Sequence, residues 1–178
     1  MPRMSSPAHR PDVPRAANDG GMSQCEICAR IREIRSGRCS VLILELGETF
    51  AVLGENQGCP GWCVLLLKDH EEHLADLPPE RQQRIFADVA RTAAAIRAAF
   101  PSSGKAGGPP RINYECLGNV VPHIHWHIIP RHADDPEPLK PVWNWPPEQL
   151  RGTMTEPQRE ELARRLRSGL APLRPAHL

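Results

Sequence analysis

The stretch Asn119-Val-Val-Pro-His123-Ile-His125-Trp-His127-Ile-Ile-Pro130 carries three histidines at alternate positions. Alternate side chains of a β-strand point to the same face, so this pattern predicts one strand with three imidazoles on one face. Neighbouring rings on that face would lie about 6.5 Å apart, too far for all three to bind one metal ion at about 2 Å from each nitrogen. We therefore expect one histidine to bind a metal and the other two to carry chemistry.

A second motif, Cys25-x-x-Cys28, has the spacing of half of a structural zinc site. It falls in the first turn of a short predicted helix, because Ser23 and Glu26 have the spacing of a capping box. The alternative is that the two cysteines are semi-buried thiols that bind no metal.

A tetrahedral zinc site needs two ligands in addition to these cysteines. One candidate is His123 from the triple-histidine segment, and the other is His70 or His73 after the third predicted strand. We favour His70 because it follows directly beyond the end of the strand, where the backbone is held in place.

The remaining periodicity predicts an α+β fold with an antiparallel sheet of about five strands, one long helix and a short N-terminal helix. The runs SVLILEL and TFAVL, separated by Gly47-Glu48, predict a hairpin, and WCVLLL predicts a central strand. Apolar residues at helical spacing predict the long helix over residues 80–100. Strands over residues 111–116 and 123–130 complete the sheet.

Composition sets the domain organisation and excludes several classes of partner. With 178 residues we expect one domain over residues 23–145, a disordered extension over 1–22 and a tail over 146–178 with a short amphipathic helix. The net charge of +1 gives no field that would attract a nucleic-acid polymer or a membrane surface. Without an apolar segment of secretory or transmembrane type, we expect a cytoplasmic protein.

The order of the motifs resembles the histidine triad superfamily over about residues 25–143. The run His123-Ile-His125-Trp-His127-Ile-Ile matches its His-φ-His-φ-His-φ-φ signature, in which φ is an apolar residue. Upstream lie Cys-x-x-Cys, Lys68-x-His70 and a long helix, as in that family. More narrowly, residues 113–127 and Pro141-Val-Trp143 look like the bacterial branch often labelled diadenosine tetraphosphate hydrolase-like.

The resemblance implies a nucleotide hydrolase or nucleotidyl transferase whose catalytic residues are His123, His125 and His127. His125 would attack the α-phosphorus of a dinucleoside polyphosphate or a nucleoside phosphoramidate and form a covalent nucleotidyl-histidine. Its second ring nitrogen must then donate a hydrogen bond, for which a backbone carbonyl is the expected acceptor. His127 would contact a phosphoryl oxygen or protonate the leaving group, and His123 would bind a structural zinc ion. The family also implies a homodimer whose two sheets join into one.

Five further residues are expected to bind the nucleotide. Gly118 and Asn119 precede the histidine strand and could offer N–H groups to the α-phosphate. The others are Asn113, which aligns approximately with a family asparagine near the phosphate, and Asn56 and Gln57, which lie where the family places its ribose contacts.

The sequence departs from the family pattern at several positions. Val120 replaces a hydroxyl residue that contacts phosphate, and Gly54, with Glu55 adjacent, replaces the acidic ribose-binding residue. Trp62 and Leu67 replace a histidine and a proline.

The departure at Val120 supports an alternative function, a nucleotide-binding regulatory module with little or no turnover. A third possibility is a metallohydrolase with a catalytic zinc at the triad. The segment Trp143-x-Trp145 could serve a dimer interface or cover the pocket.

Overall fold

The computed structural model describes residues 25–170. Its antiparallel sheet contains β1 (Leu42–Glu45), β2 (Thr49–Leu53), β3 (Cys63–Leu67), β4 (Arg111–Glu115) and β5 (His125–Arg131), in the order β1-β2-β3-β5-β4. The helices are α1 (Glu26–Arg35), α2 (Pro79–Ala99), α3 (Pro147–Arg151) and α4 (Glu156–Leu170). The expected α+β fold, with five antiparallel strands, a long helix and a short N-terminal helix, is confirmed. The extension over 1–22 and the capping residue Ser23 lie outside the described residues.

The sheet is covered on both faces, which explains why its central strands are apolar without alternation. On one face, α1 packs its Ile27, Cys28, Ile31 and Ile34 against side chains of β2 and β3. On the other face, α2 and α4 cover the largest apolar cluster, which includes Leu65 and Ile128. All five residues of β2 are buried as a result.

Local signals placed most element boundaries within one or two residues. β2 coincides with the predicted TFAVL run, and α2 begins with a proline in its first turn, where a missing N–H is tolerated. α1 begins two residues later than a capping box at Ser23 predicts, so that Cys25 is its N-cap residue and only Cys28 lies inside the first turn.

The C-terminal segment packs against the main core. The amphipathic helix predicted there is present as α4, and its Leu162, Ala163, Leu166 and Leu170 are buried in the main core. The predicted boundary at residue 145 is therefore not a boundary of the packed core. The physical reason is that α2 leaves apolar surface on the sheet that a second helix must cover.

Residues 25–170 include no helix that is long and apolar enough to cross a membrane.

One buried carboxylate holds the β1–β2 turn. Asp88 of α2 accepts hydrogen bonds from the backbone N–H groups of Gly47, Glu48 and Thr49 at 3.3, 2.9 and 3.1 Å, and from the Thr49 hydroxyl at 3.0 Å. The two donors of Thr49 are buried and would otherwise lack partners, whereas Gly47 is exposed and Glu48 is half-buried.

We expect Asp88→Ala to lower the free energy of unfolding by about 3 kcal/mol, because the two buried donors of Thr49 lose their acceptor. Urea denaturation measures this loss. Asp88→Asn keeps one acceptor oxygen and should lose less, and Asp134→Ala, at an exposed acidic position, serves as the control. A midpoint for Asp88→Ala equal to that of Asp134→Ala would show that the carboxylate does not stabilise the turn.

Candidate active site and metal centre

The antiparallel pairing of β3 with β5 brings two distant segments together. Because Leu66 pairs with His125, the end of β3 lies beside the start of β5. The backbone bond from Ile124 N–H to the Glu71 carbonyl, 2.7 Å long, continues this contact beyond both strands. His70 and His123 are thereby placed next to each other, near the N-terminus of α1.

The prediction that His123 belongs to the same strand as the other two histidines is wrong. β5 begins at His125, and the N–H of His123 bonds back to the carbonyl of Val121 at 2.8 Å, which bends the chain before the strand. The His123 ring is directed into a separate cluster, with its Nε2–H donating to the Leu67 carbonyl at 2.9 Å. Only His125 and His127 occupy the strand face that lines the candidate pocket.

Four metal-ligating side chains converge in that cluster: Cys25, Cys28, His70 and His123, whose donor atoms all lie within 4.8 Å of one another. His123 Nδ1 lies 3.5 Å from Cys25 Sγ, 3.6 Å from Cys28 Sγ and 3.2 Å from His70 Nδ1. Cys28 Sγ lies 3.3 Å from His70 Nδ1. Donor atoms of a tetrahedral zinc ion are about 3.3–3.8 Å apart, so these four distances are close to that geometry.

The protonation states of the cluster also fit a cation. Since Nε2 of His123 donates to a carbonyl, its Nδ1 presents a lone pair to the cluster. Burial lowers the pKa of His123 and so keeps the ring neutral. Burial and the neighbouring Cys25 raise the pKa of Cys28 to about 11. Two thiolates this close together are therefore costly unless a metal ion neutralises them.

The choice of His70 over His73 agrees with this geometry. His73 is exposed at the start of a short 3₁₀ turn, Leu74–Asp76, and is not part of the cluster. Glu72 lies 3.8 Å from Nε2 of His70, beyond hydrogen-bond distance.

His125 has the hydrogen bond expected of an imidazole nucleophile. Its Nδ1–H donates to the backbone carbonyl of His123 at 2.7 Å. A neutral ring protonated at Nδ1 keeps its lone pair on Nε2. His125 is buried but lines the cavity.

His127 lies one pleat further along the same face and is surrounded by aromatic rings. The indole N–H of Trp62 donates to Nδ1 of His127 at 3.2 Å. Trp143 stands edge-on to His127 with ring centroids 5.1 Å apart, whereas Trp145 is buried in an apolar cluster with Trp62. Of the two tryptophans left open by the sequence, Trp143 thus covers the His127 side of the site and Trp145 belongs to the core.

The cavity in front of these histidines has a volume of about 300 Å³. Its apolar walls come from β2, β3 and α1, and include Val52, Val64, Leu66 and Ile27. Polar groups at its edge are Glu26 and Arg30 from α1, and Glu55 and Asn56 from the loop after β2. An apolar slot with a few polar groups at its rim is typical of small-ligand sites.

The loop after β2, residues 54–61, is stabilised by hydrogen bonds from one of its own side chains, that of Gln57. The Gln57 side chain donates to the Gly54 and Trp62 carbonyls, both at 2.9 Å, and accepts from the Gly61 N–H at 3.0 Å. Its amide is buried and bonded to the loop, so Gln57 shapes the loop that carries Asn56. Asn56 does line the cavity, as expected.

Three expected phosphate-binding residues are not in the cavity lining. Gly118 and Asn119 are exposed in the connection to β5, although Val121 of the same connection lines the cavity. Asn113, on β4, borders a different cavity of about 650 Å³ beside Arg111 and Lys140. Val120 is 84% exposed, so its side chain points away from the protein.

Sequence reasoning did not find Glu26, Arg30 or Arg159. Glu26 and Arg30 are four residues apart on α1, a spacing that puts them on one helix face, but only tertiary packing aligns that face with the cavity. Arg159 of α4 donates to the carbonyls of Gly54 and Glu55 at 2.9 and 3.1 Å. The C-terminal helix therefore supports the loop that carries Asn56.

Comparison with known proteins identifies the family. The HIT domain model matches residues 37–134. No curated protein matches the chain. Among solved structures, the fold is similar to a histidine triad protein from Sinorhizobium meliloti, which is 23% identical with a TM-score of 0.62 over 83% of this chain and 98% of that one.

Two solved relatives are more similar in sequence. A histidine triad protein from Marinobacter aquaeolei is 26% identical, with a TM-score of 0.60 over 72% of this chain and 87% of that one. A zinc-bound histidine triad family protein from Mycobacterium smegmatis is 27% identical, with a TM-score of 0.56 over 84% of this chain and 95% of that one. The family model covers more than half of the sequence and includes both strands that frame the site, β3 and β5. The chain belongs to the histidine triad (HIT) family.

Proposed function

We propose that the protein cleaves nucleoside 5′-phosphate derivatives at the α-phosphate, as a hydrolase or nucleotidyl transferase, through a covalent nucleotidyl-His125. The observation that carries the proposal is the 2.7 Å bond from His125 Nδ1–H to the His123 carbonyl, which leaves the Nε2 lone pair free at the cavity. The substrate classes are dinucleoside polyphosphates and nucleoside phosphoramidates.

In the first step, Nε2 of His125 attacks the α-phosphorus while the bond from phosphorus to the leaving group breaks and its electron pair departs with that group. The ring then carries a positive charge, which the His123 carbonyl stabilises by accepting from Nδ1–H. In the second step, water or another acceptor attacks the phosphorus and loses its proton to solvent, while the N–P bond breaks with its electron pair on Nε2 of His125. This restores the neutral ring and releases the nucleotide.

The surrounding residues would orient the substrate. The base and ribose fit between the apolar wall and the polar rim formed by Asn56, Glu55 and Arg30, and Arg30 holds Glu55 at 3.1 Å. We propose Gly118 and Asn119 as phosphate contacts, which would require closure of the exposed connection before β5, and Asn113 of β4 as a contact for the part of the substrate that extends toward the neighbouring cavity. His127 faces the same cavity and would contact a phosphoryl oxygen.

We propose further that Cys25, Cys28, His70 and His123 hold a structural zinc ion. When bound, zinc supplies a rigid four-way crosslink between α1 and the segments that flank β3 and β5. His123 links this crosslink to the chemistry, because its ring belongs to the metal cluster and its carbonyl orients His125. His123 is thus a positioning residue that acts on the nucleophile through its backbone.

The homodimer implied by the family is part of the same proposal. Among the described residues β4 pairs only with β5, so its outer edge is open to a second copy. Sedimentation of the purified protein measures the assembly.

The function is tested by trapping the intermediate. The protein is mixed with diadenosine tetraphosphate, quenched within milliseconds at alkaline pH, which preserves N–P bonds, and digested for mass spectrometry. We expect an adenylyl group on the peptide that contains residues 123–127, with fragmentation that assigns it to His125. An adenylyl group on another residue, or its absence during measured turnover, would contradict the mechanism.

A further inference from the structure

The contact between Trp62 and His127 determines which nitrogen of His127 carries the proton. The indole N–H can only donate, and it lies 3.2 Å from Nδ1 of His127. Nδ1 must therefore accept, so the neutral ring carries its proton on Nε2. Trp62 is 1% exposed and is packed against Cys59 and Trp145, which holds the indole in this position.

The groups around His127 do not stabilise a positive charge on its ring. It is flanked edge-on by His125, Trp143 and Trp62, with centroid distances of 5.1, 5.1 and 5.7 Å. Glu115 is opposite His127 on β4, but its carboxylate accepts the indole N–H of Trp143. Burial, followed by the neighbouring His125, lowers the pKa of His127 to about 4.

The charged groups that line the same cavity do not favour a protonated His127 ring either. Glu55 is paired with Arg30, and Glu26 and Arg30 extend from α1. None of these three groups contributes to the lowered pKa of His127.

A neutral ring with one Nε2–H can donate a hydrogen bond, but it is a very poor proton donor, because loss of that proton would create an imidazolate. The indole of Trp62 cannot replace the lost proton, since it is not acidic at physiological pH. An amine leaving group must take up a proton as its P–N bond breaks. A phosphate or carboxylate departs as a stable anion and needs only a hydrogen bond.

We propose that Trp62 keeps His127 as a hydrogen-bond donor that is not a general acid, and that the site therefore prefers phosphoanhydrides and acyl phosphates over phosphoramidates. This specificity rests on the proposed function, because it concerns the leaving group in the attack by His125. Trp62 acts as a positioning residue, since it contacts His127 and not the reacting atoms. The bond to the leaving group breaks with its electron pair on an oxygen that requires no proton from the protein.

The test compares substrates that share adenosine 5′-phosphate and differ only in the leaving group: diadenosine tetraphosphate, and adenosine 5′-phosphoramidate. We expect the wild-type protein to have a kcat/KM at least about 100-fold higher for the anhydride, the lower end of what general acid catalysis contributes. Comparable kcat/KM values for both would overturn the specificity alone. Absence of turnover with both would overturn the proposed function, and the specificity with it.

The role of Trp62 is tested with a matched pair of variants. Trp62→His offers a ring that can relay a proton to Nδ1 of His127. We expect this variant to cleave the phosphoramidate faster, so that the ratio of kcat/KM for the anhydride to kcat/KM for the phosphoramidate falls at least about tenfold. Trp62→Phe keeps an aromatic ring without an N–H and should not gain phosphoramidate cleavage. Equal phosphoramidate rates in these two variants would contradict the assignment.

The protonation state of His127 can also be measured in the wild-type protein, without any substitution. Nitrogen-15 NMR of histidine-labelled protein distinguishes the two neutral tautomers and the imidazolium. We expect His127 to be the neutral Nε2–H tautomer throughout pH 6–8. A protonated ring, or a proton on Nδ1, in this range would overturn the proposal.

Discussion

Replacing His125 with alanine is expected to lower kcat for every nucleotide substrate by about 10⁴-fold or more, because the reaction loses its nucleophile. The neighbouring residues cannot compensate. Nδ1 of His127 accepts from the Trp62 indole, and the ring of His123 belongs to the cluster with Cys25, Cys28 and His70. Steady-state kinetics with diadenosine tetraphosphate measure the loss.

The matched control for this prediction is His73→Ala, since His73 is an exposed histidine outside both the cavity and the cluster. We expect it to retain wild-type activity, and thermal unfolding should show that both variants are folded. If His125→Ala formed as much product as His73→Ala, covalent catalysis by His125 would be excluded. If the wild-type protein and His73→Ala both formed no product above the uncatalysed background, the regulatory binding module would be the better description, and equilibrium binding of nucleotides by the wild-type protein would measure it.

The second large effect is expected at the metal centre. Cys28→Ser should lower the melting temperature by about 10 °C or more, which corresponds to about 3 kcal/mol or more in a chain of this size. The reason is that the cluster joins α1 to segments 42 and 95 residues away from Cys28 along the chain. Calorimetry measures the shift, and elemental analysis of the purified protein should show zinc lost in the variant.

Cys116→Ser provides the control, because Cys116 is exposed and is not a member of the cluster. Removal of zinc from the wild-type protein with a chelator should lower the melting temperature, and activity should fall only as the site loosens. Activity lost at an unchanged melting temperature would overturn the structural assignment and favour a catalytic zinc. A melting temperature for Cys28→Ser equal to that of Cys116→Ser would show that no metal stabilises the fold.

Local patterns were sufficient for the secondary structure and for part of the site. The TFAVL run became β2 without change, because apolar β-branched and aromatic residues bounded by turn residues have few alternatives. His70 could be preferred over His73 from its distance to the strand end. The carbonyl acceptor of His125 was also expected, since a nucleophilic imidazole requires a partner on its other nitrogen.

The features that the sequence did not reveal all depend on contacts between distant residues. Gln57 resembles a ligand-binding loop amide, yet its polar atoms are satisfied by the loop itself. Asn113 lies on the expected strand but borders another cavity. The sequence alone predicts that the helix over Glu156–Leu170 is part of a tail. Nothing in that segment reveals the apolar flank of α2 against which the helix packs.

By itself, the sequence determined the strand that presents His125 and His127, the Cys-x-x-Cys half of the Cys/His cluster, and membership of an α+β class. These features follow from periodicity and spacing within a few residues, which the backbone geometry of a strand or helix converts directly into position. Only the tertiary structure decided that His123 leaves the strand to join Cys25, and that Trp62 donates to a ring 65 residues away. Such pairings depend on the register between β3 and β5, which is set by the packing of both sheet faces and not by any local segment.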